Sequence, residues 1–413
     1  MKSTRLLFFL FLALAPAVLL AEQESEAMRA ELVPSRLTIA MWDFSYLYMH
    51  YPGCAFADWN KCLDELIERR FNTVRIDAFP LIIGKLTAAG QRITIPADPM
   101  RNWGQTDREA VHDIQQELVE FMTLTKKKGL QVILSTWNFG CKEFPNMLQE
   151  YQTPEQVWVA WEKTLDLLAQ KDLLSHVLYV DLDQEFPFFS PFAEKIKSLE
   201  SKAVTDLEKT AAQIRVMRSG QQWNDAQLLF VRKLFNESLK HFQRRYPQLR
   251  FTFSLTSHWA DVRAMHLTTM DVLELHIWMT QSQRFLNRTG FDELPKDRGQ
   301  HEYREYMLRI ERTMDSIRPQ LLEDMINNMK YAQDWAAEIG APLTTTEAWG
   351  PWWHMDHPDL DWQWLYDWCE QCVELAPQYG FWGVTPWNYS HPYWQNWKNV
   401  EWYRRVNENF LLE

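Results

Sequence analysis

Short stretches of the chain alternate apolar and polar residues with a period of two, and most are followed by a helical pattern. In NTVRIDAF (72–79), Val74 and Ile76 fall on one face and Thr73, Arg75 and Asp77 on the other. HVLYVDLDQE (176–185) sets Leu178, Val180 and Leu182 against Tyr179, Asp181, Asp183 and Glu185. RFTFSLTSH (250–258) repeats the arrangement, and so does DVLELHIW (271–278), whose polar face carries Glu274, His276 and Trp278. RLTIAMWDF (36–44), LQVILSTWN (130–138), APLTTTEAW (341–349) and GFWGVTPWN (380–388) complete a set of eight β-prone segments. Helical patterns lie between them at 58–70, 107–129, 153–171, 224–245, 321–339 and 362–376. Strand alternating with helix in this way predicts an α/β chain, a parallel sheet closed as a (β/α)8 TIM barrel, in one domain over 36–413. The 256–270 connection is too short for a long helix, so one unit is expected to be degenerate.

Strands of a parallel barrel are usually apolar on both faces. Here one face can pack on the helices while the other points polar groups inward, and such groups are costly to bury unless they pair with one another. That is the arrangement expected of a catalytic floor. The connections after strands are long (44–56, 79–106, 139–152, 186–223, 279–317 and 350–359) and those before strands short, which predicts a walled site at the C-terminal face of the barrel.

Two glutamates stand at predicted strand ends: Glu185 in DLDQEFPFF and Glu347 in TTTEAWGPWW. One such residue alone is more simply a loop carboxylate paired with a cation. Two of them, on strands four and seven of eight, suit glycoside hydrolysis, in which one carboxyl protonates the leaving oxygen and the other attacks or activates water. An Arg beside a carboxylate keeps it ionised through two charge-assisted hydrogen bonds. Flanking Phe186, Pro187 and Phe188 would desolvate Glu185 and raise its pKa. Asp43 and Asp77 fit either sugar hydroxyls or partners of Arg75. The grouping of His354, Asp356, His357 and Asp359 lies in a loop without helical spacing and predicts the wall of a cleft, so no metal and no cofactor is expected.

The order of these motifs, from MWDFSYL to TPWNYSHPYW, resembles the cellulase-like glycoside hydrolases of the family 5 type, in the clan of retaining (β/α)8-barrel glycosidases. The resemblance implies that Glu185 is the acid/base and Glu347 the nucleophile. It implies further that Arg75 steadies the nucleophile, that His276 is the strand-six histidine, and that Trp387 lies under the sugar at the cleavage site. Asn138 takes a strand-three position often held by His, and Trp349 and Asp43 complete the expected sugar-binding set. The chain departs from the family at Gln184, where Asn is usual, and at Trp278, where a Tyr phenol usually touches the nucleophile. Gln184 is still expected to donate to a sugar 2-hydroxyl. The implied function is a secreted retaining hydrolase that cleaves β-glycosidic bonds through a glycosyl-enzyme. The alternative is a barrel of the same fold that binds carbohydrate without turnover.

Composition narrows the setting. Lys2 and Arg5 precede an apolar run from Leu6 to Leu20 and the small Ala21, which predicts a signal peptide over 1–21 followed by a short polar leader over 22–35. No second apolar run of spanning length follows, so a secreted or periplasmic protein without membrane attachment after cleavage is expected. The net charge of −12 argues against a nucleic-acid partner, which would want clustered Lys and Arg. A carbohydrate partner and a monomeric state are the expectation. The chain holds 21 Trp, and only their placement separates core from sugar platform. Among the five cysteines, Cys54 with Cys62 or Cys141 are the disulfide options; Cys369 and Cys372 fall in a predicted helix, where packing is the simpler role.

Overall fold

The computed structural model describes residues 34–98, 106, 108–199, 222–293 and 301–413; the expected signal peptide and nearly all of the polar leader lie outside the described residues. From Leu37 to Glu413 the chain forms one compact unit. Its eight central strands are β1 (Leu37–Asp43), β2 (Thr73–Asp77), β3 (Gln131–Ser135), β4 (Val177–Asp181), β5 (Phe251–Thr252), β6 (Leu273–Glu274), β7 (Leu343–Thr345) and β8 (Phe381–Val384). They pair in parallel in the order β5-β4-β3-β2-β1-β8-β7-β6. The two ends of that order meet. Leu255 bridges Leu275, with Leu255 N donating to Glu274 O at 3.1 Å and His276 N to Leu255 O at 2.9 Å. The sheet is therefore a barrel, and each strand falls within the segment whose alternation predicts it.

The helices around it are α1 (Trp59–Glu68), α2 (Ile114–Lys127), α3 (Pro154–Ala169), α4 (Asp225–Arg245), α5 (Trp259–Ala264), α6 (His301–Ile339), α7 (Gln363–Leu375) and α8 (Val400–Leu412). Their starts are set by side chains that satisfy otherwise unpaired N–H groups. Asp58 accepts from Lys61 N, Asp113 from Gln116 N, and Thr153 and Asn224 form capping boxes with Gln156 and Gln227. The six-residue α5 is the degenerate unit that the short 256–270 connection predicts.

Three features differ from the pattern reading. The helical pattern begins at 321, yet α6 starts at His301 and runs through Pro319 for 39 residues. The buried stripe Tyr303, Met307, Ile310, Met314, Ile317, Leu321 and Met325 continues across the proline at helical spacing, and burial along that stripe outweighs one lost N–H bond. The connection expected over 279–317 thus contains the front half of α6 as well as a short helix, Gln283–Thr289. Strand Ile93–Ile95 pairs antiparallel with Ala110–His112, adding a hairpin inside a stretch read as loop and helix. All five cysteines are free thiols, so neither disulfide option is formed; the Cys62 thiol donates instead to Ala55 O at 3.3 Å. Among the described residues no helix is long and apolar enough to cross a membrane.

The C-terminal ends of the strands carry unusual backbone. Asp43, Phe79, Asn138, Glu185 and His258, at or just beyond the ends of β1 to β5, have φ of 46°, 49°, 56°, 48° and 57°. A non-glycine residue held there costs on the order of 1–3 kcal/mol, and such residues cluster where a side chain must be aimed. β6 and β7 instead break and resume as Ile277–Trp278 and Ala348–Trp349, which pair with each other. His276 and Glu347 occupy those breaks, side by side at the barrel mouth.

Most tryptophans are core. Trp349 is fully buried, its Nε1 donating to Thr385 O at 2.8 Å while its own carbonyl accepts from Trp368 Nε1 on α7. Trp387 is also fully buried, its ring packed edge-on against Tyr366 of α7 at 4.8 Å and Trp402 of α8 at 5.9 Å. Both indoles fill the layer between barrel and outer helices, a correction to their expected place against the sugar. Trp387→Ala should therefore lower unfolding free energy by about 3–5 kcal/mol, read by denaturant titration. Wild-type stability together with weakened sugar binding would return Trp387 to the cleft.

Candidate active site

The inward face of β2 places one cation, Arg75, at the centre of the barrel mouth, and its five N–H groups each find an acceptor. Nε donates to Asp43 Oδ1 at 2.7 Å and Nη2 to Asp43 Oδ2 at 2.8 Å. Nη2 also donates to Glu347 Oε1, and Nη1 to Thr346 Oγ1 and to His276 Nε2, the last at 3.3 Å. The guanidinium fork therefore belongs to Asp43, and Glu347 receives a single bond from it. This corrects the expectation of a two-bonded Arg75–Glu347 pair. It also makes Asp43, 3 % exposed, the partner of Arg75 instead of a sugar ligand. Asp77 takes no part: its carboxyl accepts from Phe79 N and Trp137 N at 2.7 and 2.9 Å, closing the turn after β2.

These donations fix where neighbouring protons lie. His276 Nε2 accepts from Arg75, so its proton is on Nδ1, which donates to Glu185 Oε1 at 2.9 Å. Burial lowers the His276 pKa, in keeping with a neutral ring. Thr346 Oγ1 accepts from Arg75 and passes its own proton to Glu274 Oε1 at 2.6 Å. Glu274 lies one layer deeper and also accepts from Thr346 N at 2.8 Å, Tyr179 Oη at 2.5 Å and Thr344 Oγ1. Trp278 Nε1 donates to Thr256 Oγ1 at 3.1 Å, and the Thr256 hydroxyl bonds Glu185 in turn. Trp278 thus braces Glu185 through one intermediary.

Glu185 and Glu347, expected at the ends of strands four and seven, come together. One oxygen of each lies within 4.8 Å of the other, with His276 Nδ1 inside the same distance of both. Glu185 is the more open of the two, with 14 % of its side chain exposed against 3 % for Glu347. Burial pushes both carboxyls up to about 7. Sequence reasoning expects the two to part, with Arg75 holding Glu347 low. They do not part in that way, because burial of Glu347 outweighs the lowering by His276 and Arg75. Phe188, expected to cover Glu185, is 58 % exposed, and Phe186 packs into the core against Phe235 and Phe253. The raised pKa of Glu185 comes from the barrel wall itself.

The two amides expected to meet sugar are turned inward. Asn138 Nδ2 donates to Asp183 Oδ1 at 3.0 Å and to Phe189 O at 3.1 Å. Gln184 is fully buried, its Nε2 donating to Glu347 Oε1 and its Oε1 accepting from Ser135 and Ser254. Sequence reasoning gave no site role to Thr256, Thr346, Ser135 or Ser254, although all four lie in the strand segments and Ser254 and Thr256 fall on the polar face of 250–258. A cation among Glu185, His276 and Glu347 would have to displace the His276 proton and sit beside Arg75. Asp356, from the loop 354–359, is engaged by Gln395 N at 2.8 Å.

No curated protein sequence matches the chain. Among solved structures, a protein from Parabacteroides distasonis ATCC 8503, provisionally described as a glycoside hydrolase, superposes with a TM-score of 0.77 at 24 % identity, covering 92 % of this chain and 94 % of its own. That likeness is one of fold. A glycoside hydrolase family 5 mannosidase from Rhizomucor miehei matches with a TM-score of 0.47 at 11 % identity over 92 % and 94 % of the two chains. An endo-β-1,4-mannanase from Thermotoga petrophila matches with 0.46 at 11 % identity over 92 % and 77 %. The pattern of the cellulase-like family, described as sugar-binding cellulase-like, matches residues 39–411, and the chain belongs to that family.

Proposed function

We propose that this chain is an exported, monomeric glycoside hydrolase that cleaves β-glycosidic bonds with retention, Glu347 attacking the anomeric carbon and Glu185 moving the proton. The observation that carries the reading is the approach of the two carboxyls, oxygen to oxygen within 4.8 Å. Retaining pairs lie about 5–5.5 Å apart, whereas inverting pairs need roughly 6.5–9.5 Å to admit a water. Glu347 is the group suited to be ionised, since one of its oxygens receives N–H donors from both Arg75 and Gln184. Glu185, more exposed and facing the neutral His276, is suited to hold the proton. In the first step Glu347 displaces the leaving oxygen as Glu185 protonates it. In the second, Glu185 takes a proton from water, which then attacks the anomeric carbon and frees Glu347. Export rests on the apolar run Leu6 to Leu20, and sequencing the N-terminus of secreted protein tests it by whether the chain starts at Glu22.

A second reading, sugar binding without turnover, is favoured by the inward commitment of Gln184 and Asn138, which leaves fewer amides for substrate. Calorimetric binding of β-glycans with no product on a broad hydrolysis panel would select it.

Glu347→Ala should abolish hydrolysis of every substrate. Glu185→Ala should slow it by about 10²–10⁴, and azide should restore turnover of an aryl β-glycoside and yield a β-glycosyl azide. An α-azide product would reverse the two assignments.

The pH profile follows from the same pair. Activity requires ionised Glu347 and protonated Glu185, so it falls when acid protonates the first and when base strips the second. With both pushed up to about 7, the bell should centre near neutral pH, its two limbs belonging to the coupled pair. A bell centred at the ordinary carboxylate value of 4.5 would contradict the burial argument.

A further inference from the structure

Gln184 directly precedes Glu185, yet its side chain serves the other carboxyl. Its carbonyl oxygen accepts from Ser135 Oγ at 3.0 Å and Ser254 Oγ at 3.2 Å. Both serine hydroxyls also bond the buried Asp181 carboxyl, Ser135 Oγ at 3.0 Å from its Oδ2, and Ser254 Oγ accepts from Glu185 N at 3.0 Å. The amide nitrogen is the atom that faces Glu347 Oε1, since an amide oxygen there would oppose an ionised carboxylate, and the amide oxygen is left to the two serines. Oε1 also receives Arg75 Nη2, so one oxygen of Glu347 carries two donors while Oε2 stands 3.7 Å from His276 Nδ1, on the side of Glu185. Gln184 is fully buried, with no surface for a ligand.

We infer that Gln184 is a positioning residue that holds Glu347 by Oε1 and leaves Oε2 as the attacking atom, and that it does not read the 2-hydroxyl of the substrate. The inference rests on the proposed hydrolysis and deepens it. Discrimination at carbon 2 must then come from other groups. An amide one methylene shorter would fall short of Glu347, so the length of this side chain matters as well as its polarity.

The test compares wild type with Gln184→Met, which keeps the length and removes the donor, and with Gln184→Asn. Substrates are p-nitrophenyl β-glucoside, the β-mannoside, and the 2-deoxy glycoside that is the common analogue of both. A bond to a charged group predicts a fall in kcat of about 10- to 100-fold in each variant, with KM little changed. The fall should be the same for the 2-deoxy substrate. The acid limb should also move. Arg75, Asp43, Glu185 and His276 are the charged and titratable groups that face Glu347, and none of them changes. Loss of the amide donor disfavours ionised Glu347, so its pKa rises and activity is lost at a higher pH on the acid side. A loss that disappears with the 2-deoxy substrate, or an unmoved acid limb, would overturn the inference while leaving the proposed hydrolysis intact.

If wild type hydrolyses none of the three, the proposed function fails on these substrates. The positioning role is then read by carbon-13 NMR titration of the Glu347 carboxyl: a higher pKa in Gln184→Met supports it, and an unchanged one removes it. Should Gln184→Met not fold, Gln184→Asn, whose shorter amide falls short of Glu347, is read by the same titration. The same upward shift is expected there, and its absence contradicts the orientation argued above.

Discussion

The barrel mouth is organised around the valence of one guanidinium. Arg75 has five N–H groups, and five acceptors from β1, the β6 extension and β7 meet them: both oxygens of Asp43, Thr346, His276 and one oxygen of Glu347. A buried cation with any of these missing would carry an unpaired donor in a medium where that is costly. Burial opposes the charge on Arg75, and the carboxylates of Asp43 and Glu347 more than offset it. Where these donors point also fixes the Nδ1 proton of His276 and the proton that Thr346 gives to Glu274 below.

The same centre limits how acidic Glu347 can be. A guanidinium given wholly to Glu347 would hold it firmly ionised and make it a weaker nucleophile. The fork goes to Asp43 instead, so Glu347 keeps one bond from Arg75, and burial raises its pKa. Strain at the strand ends is the structural counterpart. Asp43 and Glu185 sit in the left-handed region, which turns their carboxyls toward Arg75 and His276.

The alternation of apolar and polar residues made the barrel legible before any coordinates, since burial against helices and polarity within the barrel leave opposite faces of each strand. It also placed Arg75, Glu185 and His276 on the polar faces of their strands, and the structure gathers them with Glu347 at the barrel mouth. What it could not say is which acceptor a donor chooses, because that depends on how three or four strand ends turn. Asp43 and Asp77 were indistinguishable by sequence; only the left-handed turn at Asp43 brings it to the guanidinium. Trp349 and Trp387 look like sugar platforms because they follow strand ends near the site, yet an indole there can equally point back between strand and helix, and both do. The helical pattern over 321–339 fell short for a different reason: the helix continues N-terminally through Pro319, where one missing N–H weighs little against a continuous buried stripe along 39 residues.

The account turns on Glu347 being the group that attacks, held by Arg75 and Gln184 with one oxygen free. An aryl 2-deoxy-2-fluoro β-glycoside incubated with the intact protein, followed by proteolysis and mass spectrometry, reads this directly. The account predicts a stoichiometric glycosyl adduct on the peptide containing Glu347. An adduct on Glu185, or rapid turnover to the inverted sugar with no adduct at all, would contradict it.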